Sequence, residues 1–315
     1  MSFRYLGRHV TSLRRQTCIL LIHILVVAPS WAEPVAVIYP EVREAYKKVF
    51  LNIADGAEKE LGQDLLHLEI SEDSSTARTK AWLDQNNVSA VIALGNKSIE
   101  EIGPDLKFPT VIGAVVFQPG ANQYAGISLN PAPDRLFSGL QKLLPKLNTI
   151  HVVYDPDRNQ WEVEAATELA EIMGITVNGY PANDLRQAAT AYRDIQEKMN
   201  SDTDAVWLPL GGPARDKAIL QNILETAWTK KQAVISSNLA DVKRGVLFAM
   251  YPDNVGMGED LGKLLKEVLK QSDGNSKIHF TTALFQAINR RTAEHLDMRL
   301  SQDDLSHYHF IYPPR

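Results

Sequence analysis

From Glu33 onward, short continuous apolar runs alternate with longer stretches in which apolar residues recur every three or four positions. VAVIY (35–39) has the pattern of a buried strand. Val42, Tyr46, Val49, Phe50, Ile53, Ala57 and Leu61 then line one side of a helix. DLLHLEI (64–70), VSAVIAL (88–94), TVIGAVV (110–116) and GISL (126–129) predict further strands, with helices around Ala77–Leu83 and 97–102 between them. The pattern restarts after Pro131–Pro133. Helices are expected over 133–144, 160–173, 184–199, 216–230 and 255–270, and strands at TIHVVYD, ITVNGY, AVWLPL, AVISS and VLFAMY. The end reads as a strand near 283–288, a short helix RRTAEHL (290–296), and a tail packed as an extension on the second unit.

Apolar strands without polar alternation are buried on both faces, and strand-helix alternation supplies the covering helices, so the fold class is α/β with parallel sheets. The restart near residue 130 predicts two such units. The joins are short and marked by Pro or Gly, with no low-complexity linker.

The first 32 residues depart from this pattern. Arg4, Arg8, Arg14 and Arg15 precede the apolar TCILLIHILVVA (17–28), and Ser30-Trp31-Ala32 follows. This is the layout of an export signal cleaved after Ala32. The apolar run is short for a membrane span of about 20 residues. The single cysteine, Cys18, would leave with it, so the mature chain would carry no disulfide and no cysteine metal site. Export without disulfides fits a bacterial periplasm. The net charge is −5, and removal of four arginines makes the remainder more acidic. No basic stripe suggests nucleic acid, and no second apolar run would insert in a membrane.

In open parallel sheets, ligands sit beyond the carboxyl ends of the strands. Those ends carry Tyr39; Asn96, Lys97 and Ser98; Phe117; Asp155, Arg158, Asn159 and Trp161; Leu210; Ser237 and Asn238; and Tyr251 and Asp253. Hydroxyls, amides and aromatic rings suit a small polar molecule with an apolar part. The turn GNKS opens a helix, where free N–H groups favour an anion such as a carboxylate. Asn96, Ser98 and Asp253 also have the chemistry of helix caps. Asp155 and Asp157 flank Pro156 as turn formers do, and the aromatic residues could equally belong to the core.

Nucleotide-loop, dinucleotide-fingerprint, HExxH and GxSxG patterns are all missing, and the histidines are scattered. His67 and His151 lie in apolar strands as satisfied buried imidazoles would, and His307 and His309 read as surface residues. No catalytic residue, metal site or cofactor is expected.

VAVIYPEVREAYKKVF, VIALGNKS, GISLNPAPDRLFSGLQKLLP, VVYDPDRNQW, DAVWLPLG, AVISSN with VKRGVLFAMYPDN, and ALFQAINRRTAEHL occur in an order that resembles one family. This is the ABC-transporter substrate-binding proteins of the periplasmic binding protein type I superfold, the group that includes tryptophan- and tyrosine-type binders. The resemblance implies two Rossmann-like lobes joined by three crossovers, with a ligand cleft between them. It places the first lobe over 33–129 plus 251–273, and the second over 130–250 plus 274–315. It implies hinge closure on a small ligand, and a permease and an ATPase as partners. The sequence departs from the family at Trp161, where a small residue or serine is usual, and at the glycine-rich Gly211-Gly212-Pro213, so the second-lobe side of the cleft is expected to be reshaped. The same cleft would also serve a ligand-sensing partner of a membrane receptor or kinase; a periplasmic enzyme would need an acid, base or nucleophile constellation that the sequence does not offer.

Overall fold

In the computed structural model, the run VAVIY forms β1 (Val35–Pro40), which leads into α1 (Glu44–Leu61). The structure describes Met1 and residues 33–104, 106–117, 123–270 and 277–314; apart from Met1, the expected leader over 1–32 lies outside the described residues. After α1 come β2 (Leu66–Ile70), α2 (Thr76–Gln85), β3 (Ala90–Leu94), α3 (Asn96–Ile102), β4 (Thr110–Val115) and β5 (Ala125–Pro131). The second series is α4 (Pro133–Leu143), β6 (Thr149–Tyr154), α5 (Pro156–Ile172), β7 (Thr176–Pro181), α6 (Leu185–Lys198), β8 (Asp204–Leu208), α7 (Lys217–Lys230), β9 (Ala233–Ser236), α8 (Leu239–Arg244) and β10 (Phe248–Pro252). The chain closes with α9 (Asn254–Lys270), β11 (Ile278–Thr281), β12 (Leu284–Asn289), α10 (Arg290–His295), α11 (Gln302–Ser306) and β13 (Phe310–Tyr312).

The first sheet has the order β11-β5-β4-β3-β1-β2, and all its strands are parallel. Its two faces explain the unbroken apolar runs. Val35, Val37, Ala90, Ile92 and Leu94 point to one core with Ile53 and Ala57 of α1 and Met257, Leu261 and Leu265 of α9. Ala36, Ile38, Val91 and Ala93 point the other way, onto Leu83 and Ile102. Both faces are apolar because both are covered.

The second sheet has the order β13-β12-β10-β9-β8-β6-β7. Its β7, β6, β8, β9 and β10 are parallel, and β12 turns antiparallel to β10. Ile150, Val152, Ala205 and Trp207 pack on Leu136, Phe137 and Leu140 of α4 and Val163, Ala166 and Ala170 of α5. Val153, Val206 and Val234 face Tyr192 and Ile195 of α6 and Ile219 and Ile223 of α7. The tail contributes β13, paired with β12 at this sheet's edge.

One strand changes the expected division of the chain. Ile278–Thr281, placed by sequence with the second lobe's share at 274–315, hydrogen bonds as β11 to β5 and extends the first sheet. Gly126 of β5 packs tightly between its neighbours: a Cβ there would sit 2.5 Å from Ile112 Cγ1 of β4 and 3.1 Å from Ile278 Cδ1 of β11. The segment is short and mixed in polarity, so periodicity does not show which sheet it joins.

The chain therefore passes between the sheets three times, after β5, after β10 and after β11. The crossovers lie side by side. Thr281 is paired with Pro131 in one sheet and Leu284 with Pro252 in the other. Ala132 N–H donates to Thr281 O at 3.0 Å, and Asp253 N–H to Ala283 O at 2.9 Å.

Candidate functional site

The strand ends of the first sheet meet α5 of the second unit through a buried polar cluster. Serine at 128 and asparagine at 130 share one face of β5 because strand side chains repeat every two residues. The Ser128 hydroxyl accepts from Phe117 N–H (3.2 Å) and donates to Asn130 Oδ1 (2.6 Å). That bond turns Asn130 Nδ2 toward α5, where it donates to Oε2 of Glu162 at 2.6 Å. Asn159, one turn earlier on α5, adds a second bond to the same oxygen at 3.3 Å. Its Nδ2 also donates to Leu210 O at 2.9 Å, gathering in the loop after β8. Beside this cluster the ring of Trp161 stacks on Phe280 of β11, with centroids 4.1 Å apart and planes 9° from parallel.

Asn130, Asn159 and Glu162 are all fully buried. Buried polar atoms are normally hydrogen bonded. Here Oε1 of Glu162, Oδ1 of Asn159 and Nε1 of Trp161 are buried without a partner in the protein, and so is Oγ of Ser98 on α3. Burial pushes the Glu162 carboxyl up to about 8, against the opposing pull of the bonds from Asn130 and Asn159. At neutral pH this side chain holds its proton.

Three residues picked from sequence, Asn159, Trp161 and Leu210, thus converge at this junction. Ser98 is buried at the start of α3, where Gly95 occupies the N-cap and no side chain caps the helix. Asn96 stands exposed at the first position of the same helix. Asp155 and Asn238 act as caps, accepting from Asp157 N–H and Ala240 N–H at 3.0 Å each. Asp155 also pairs with Arg158 at 3.3 Å. Asp253 accepts from Val255 N–H at 3.1 Å. The Ser237 hydroxyl receives the indole N–H of the buried Trp207 at 3.2 Å. Tyr39 and Phe117 are buried in the two cores of the first sheet, Tyr39 stacked on Phe50. Tyr251 is half-buried with its ring edge on Phe285, and burial raises its hydroxyl above the ordinary value.

Sequence reasoning missed Ser128, Asn130, Glu162 and Phe280. Asn130 carried a signal, since an amide on the buried-strand pattern GISLN needs a partner. Glu162 carried none, because a glutamate in a helix is ordinarily solvated.

His151 is a satisfied buried imidazole, as expected, set between Tyr180 Oη and Asp204 Oδ2 at 3.2 Å each. His67 is partly exposed, against expectation, with Nε2 at 3.4 Å from Glu58. Among the described residues no group of three or more His, Cys, Asp or Glu could hold a metal ion, and no helix is long and apolar enough to cross a membrane.

The fold has counterparts in known proteins. The L-Trp-bound ABC domain from Streptococcus pneumonia is 18% identical, covers 89% of this chain and 100% of its own, and superposes with a TM-score of 0.56. A ligand-free, open substrate binding protein with adhesive properties from Clostridium difficile is 15% identical, covers 89% and 99%, and has a TM-score of 0.64. A conserved domain protein from Vibrio cholerae is 16% identical, covers 89% and 100%, and has a TM-score of 0.53. At such identities the likeness is one of fold. Comparison with curated proteins finds no match. The model of the ABC transporter substrate binding protein family matches residues 117–310, most of the chain and the whole of the junction just described, and the chain belongs to that family.

Proposed function

We propose that this chain is the exported, periplasmic substrate-binding component of an ABC importer, and that it traps a small polar or amino-acid-like ligand between its two lobes by hinge closure. The first lobe would comprise the six-stranded sheet with α1–α3 and α9, and the second the seven-stranded sheet with its helices. A permease and an ATPase would receive the closed form.

The observation that carries this reading is the buried junction at Glu162. It joins elements of both sheets, and it leaves hydrogen-bonding atoms without protein partners where the strands end. A ligand that bridges two lobes stabilises the closed state by its differential affinity for closed over open. Three crossovers held side by side support this reading, since a bend there would involve only a few residues at Pro131–Ala132, Pro252–Asp253 and Thr281–Ala283.

Small-angle scattering tests the closure. The protein as purified and the same protein refolded after removal of small molecules are expected to differ in radius of gyration, with the refolded form more extended. Addition of the removed fraction should restore compactness. Identical scattering in the two states, with a ligand demonstrably bound in one, would contradict a hinge. Processing is tested separately. The periplasmic fraction should contain a chain beginning at Glu33 by intact mass, and a full-length chain in the membrane pellet would rule out cleavage.

A further inference from the structure

We propose that the chain carries a second ligand site, a groove between α7 and the end of α8 that takes an amphipathic carboxylate. The apolar chain of that ligand lies along Leu224 and Trp228, and its anionic end meets Lys217 and Arg244. None of the residues that line the groove belongs to the Glu162 junction, so the proposal does not depend on how that junction is read.

The groove begins with the pattern on α7. Leu220, Leu224 and Trp228 recur at every fourth position and form one stripe, about 12 Å long at 1.5 Å per helical residue. Leu220 is buried, Leu224 is half-buried, and Trp228 is 40% exposed. Only the short α8 runs beside this stripe, and it stops at Gly245, where a Cβ would still sit 3.8 Å from Leu224 Cδ1. The result is a cavity of about 600 Å³ with Arg244 on its other wall, within the size range of small-molecule sites. Trp228 is fixed in place before any ligand arrives. Its ring stacks on His295 of α10, with centroids 3.6 Å apart and planes 4° from parallel. His295 Nε2 also donates to Trp228 O at 2.7 Å, and the Arg291 guanidinium lies 5.3 Å from the indole centroid. A free surface tryptophan would lose side-chain freedom on binding, and this one has already lost it.

Charge selects the other end of the ligand. Lys217 has no acidic partner among the described residues. Arg244 gives Nη1 to Asp241 Oδ1 at 3.2 Å, and its half-exposed guanidinium keeps further N–H groups free. Among the described residues that line the groove, one is acidic: Glu225, which accepts from Gln221 Nε2 at 2.8 Å. The whole chain has a net charge of −5, so a basic rim on an apolar floor is a local departure from the rest of the molecule. A cationic ligand would meet Lys217, Arg244 and, at the indole, Arg291. A sugar would find leucine and tryptophan walls where its hydroxyls need partners. An apolar chain that ends in a carboxylate suits both parts, through burial along the stripe and a charge-assisted bond at the rim.

The test uses decanoate, below the concentration at which it forms micelles, titrated by calorimetry into the purified chain. Acetate, which lacks the apolar chain, and decyltrimethylammonium, which reverses the charge, are titrated in parallel. Decanoate is expected to bind about tenfold or more tightly than either. Lys217→Glu, on the exposed first turn of α7, is expected to weaken decanoate about tenfold, the loss of one charge-assisted hydrogen bond, and to strengthen decyltrimethylammonium. Leu224→Asp is expected to abolish decanoate binding by placing a like charge against the acyl chain. If Leu224→Asp fails to fold, the reversal of charge preference in Lys217→Glu still decides. Decanoate bound no better than acetate overturns the proposal. So does binding that Lys217→Glu leaves unchanged, since the acid would then sit elsewhere, the inter-lobe cleft included. Self-association that Leu224→Asp abolishes would give the groove to a second copy of the chain, and retention on anionic vesicles without binding of free decanoate would give it to a membrane surface. Either result also overturns the proposal.

Discussion

Asn130 Nδ2 donates to Oε2 of Glu162 across 2.6 Å, and that bond ties the end of a first-sheet strand to a helix of the second sheet. Neither residue is exposed. Removing one partner would leave the other buried and unpaired, which costs about 1–3 kcal/mol. The bond is therefore both a link between the two sheets and a point at which protonation can act.

Its first consequence is a pH dependence. The Glu162 carboxyl, ordinarily near 4.5, is raised by burial to about 8 in the folded chain. Between those values the folded state keeps a proton that the unfolded chain releases. Stability then falls as pH rises through the window, is unaffected by this group below about 4.5, and has lost its whole contribution above about 8. A shift of this size corresponds to several kcal/mol. The ligand-free chain should melt at a higher temperature at pH 5.5 than at pH 8. Asp241, raised by burial as well, acts in the same direction, so the decisive quantity is the part of the slope that Glu162→Gln abolishes. An unchanged slope in that variant would show that Glu162 is not the proton holder.

Ser98 gives a prediction of opposite signs for stability and binding. Its hydroxyl is buried, has no partner and caps nothing. Ser98→Ala should leave the ligand-free melting temperature unchanged or raise it, since an unpaired buried hydroxyl costs about 1–3 kcal/mol. If the hydroxyl meets ligand, the same variant should lose about 0.5–1.5 kcal/mol of binding free energy. Reduced stability with unchanged affinity would assign it a structural role instead.

The Trp161–Phe280 stack should report on the cleft. The indole is partly buried and its ring lies face to face with a residue of the other sheet. Closure or ligand entry should change tryptophan emission, and Trp161→Phe should keep the stack while removing that change. Phe280→Ala should weaken the coupling between the lobes by about 0.5–1.5 kcal/mol, the range for an aromatic pair. A ligand-induced signal that survives Trp161→Phe would move the reporter to another tryptophan.

Much of this was legible from periodicity, and the exceptions have physical causes. The strands β1, β3, β4, β6, β8 and β9 show because burial on both faces leaves them largely apolar, without the alternation of a half-exposed strand. β11 and β13 do not show, since they are edge strands of four and three residues, too short for a period to register. Within the site, Asn159 and Trp161 stood out by position at a helix start. Glu162 did not, because its chemistry comes from Asn130, which lies 32 residues earlier in the chain. Asp155, Asn238 and Asp253 have the same residue types as ligand contacts but spend them on helix caps, a distinction that only hydrogen-bond partners reveal.

The helices α1 and α9 test how far helix packing sets the proposed hinge. They cross backbone to backbone. A methyl group at Gly56 would sit 2.0 Å from the carbonyl oxygen of Val255, and one at Gly258 would sit 1.9 Å from that of Ile53. Main-chain oxygens within a helix cannot swing aside as side chains can, so Gly258→Ala must push α9 away from α1. Overpacking of this kind costs about 1–3 kcal/mol, or roughly 2–4 °C of melting temperature per kcal/mol in a chain of this size. At Gly262 the nearest atoms are Cβ and Cγ of Glu60, at 2.9 Å each, a shallower overlap than at Gly258 although the root of that side chain must still shift; Gly262→Ala should cost less. Displacement of α9 also moves its start, where Asp253 N–H is bonded to Ala283 O at the crossovers. Gly258→Ala should therefore lower the melting temperature and also change the ligand-free radius of gyration, and Gly262→Ala should do less to both. A Gly258→Ala chain that melts with wild type would show that α9 is not seated by this contact, and the link from helix packing to hinge position would be lost.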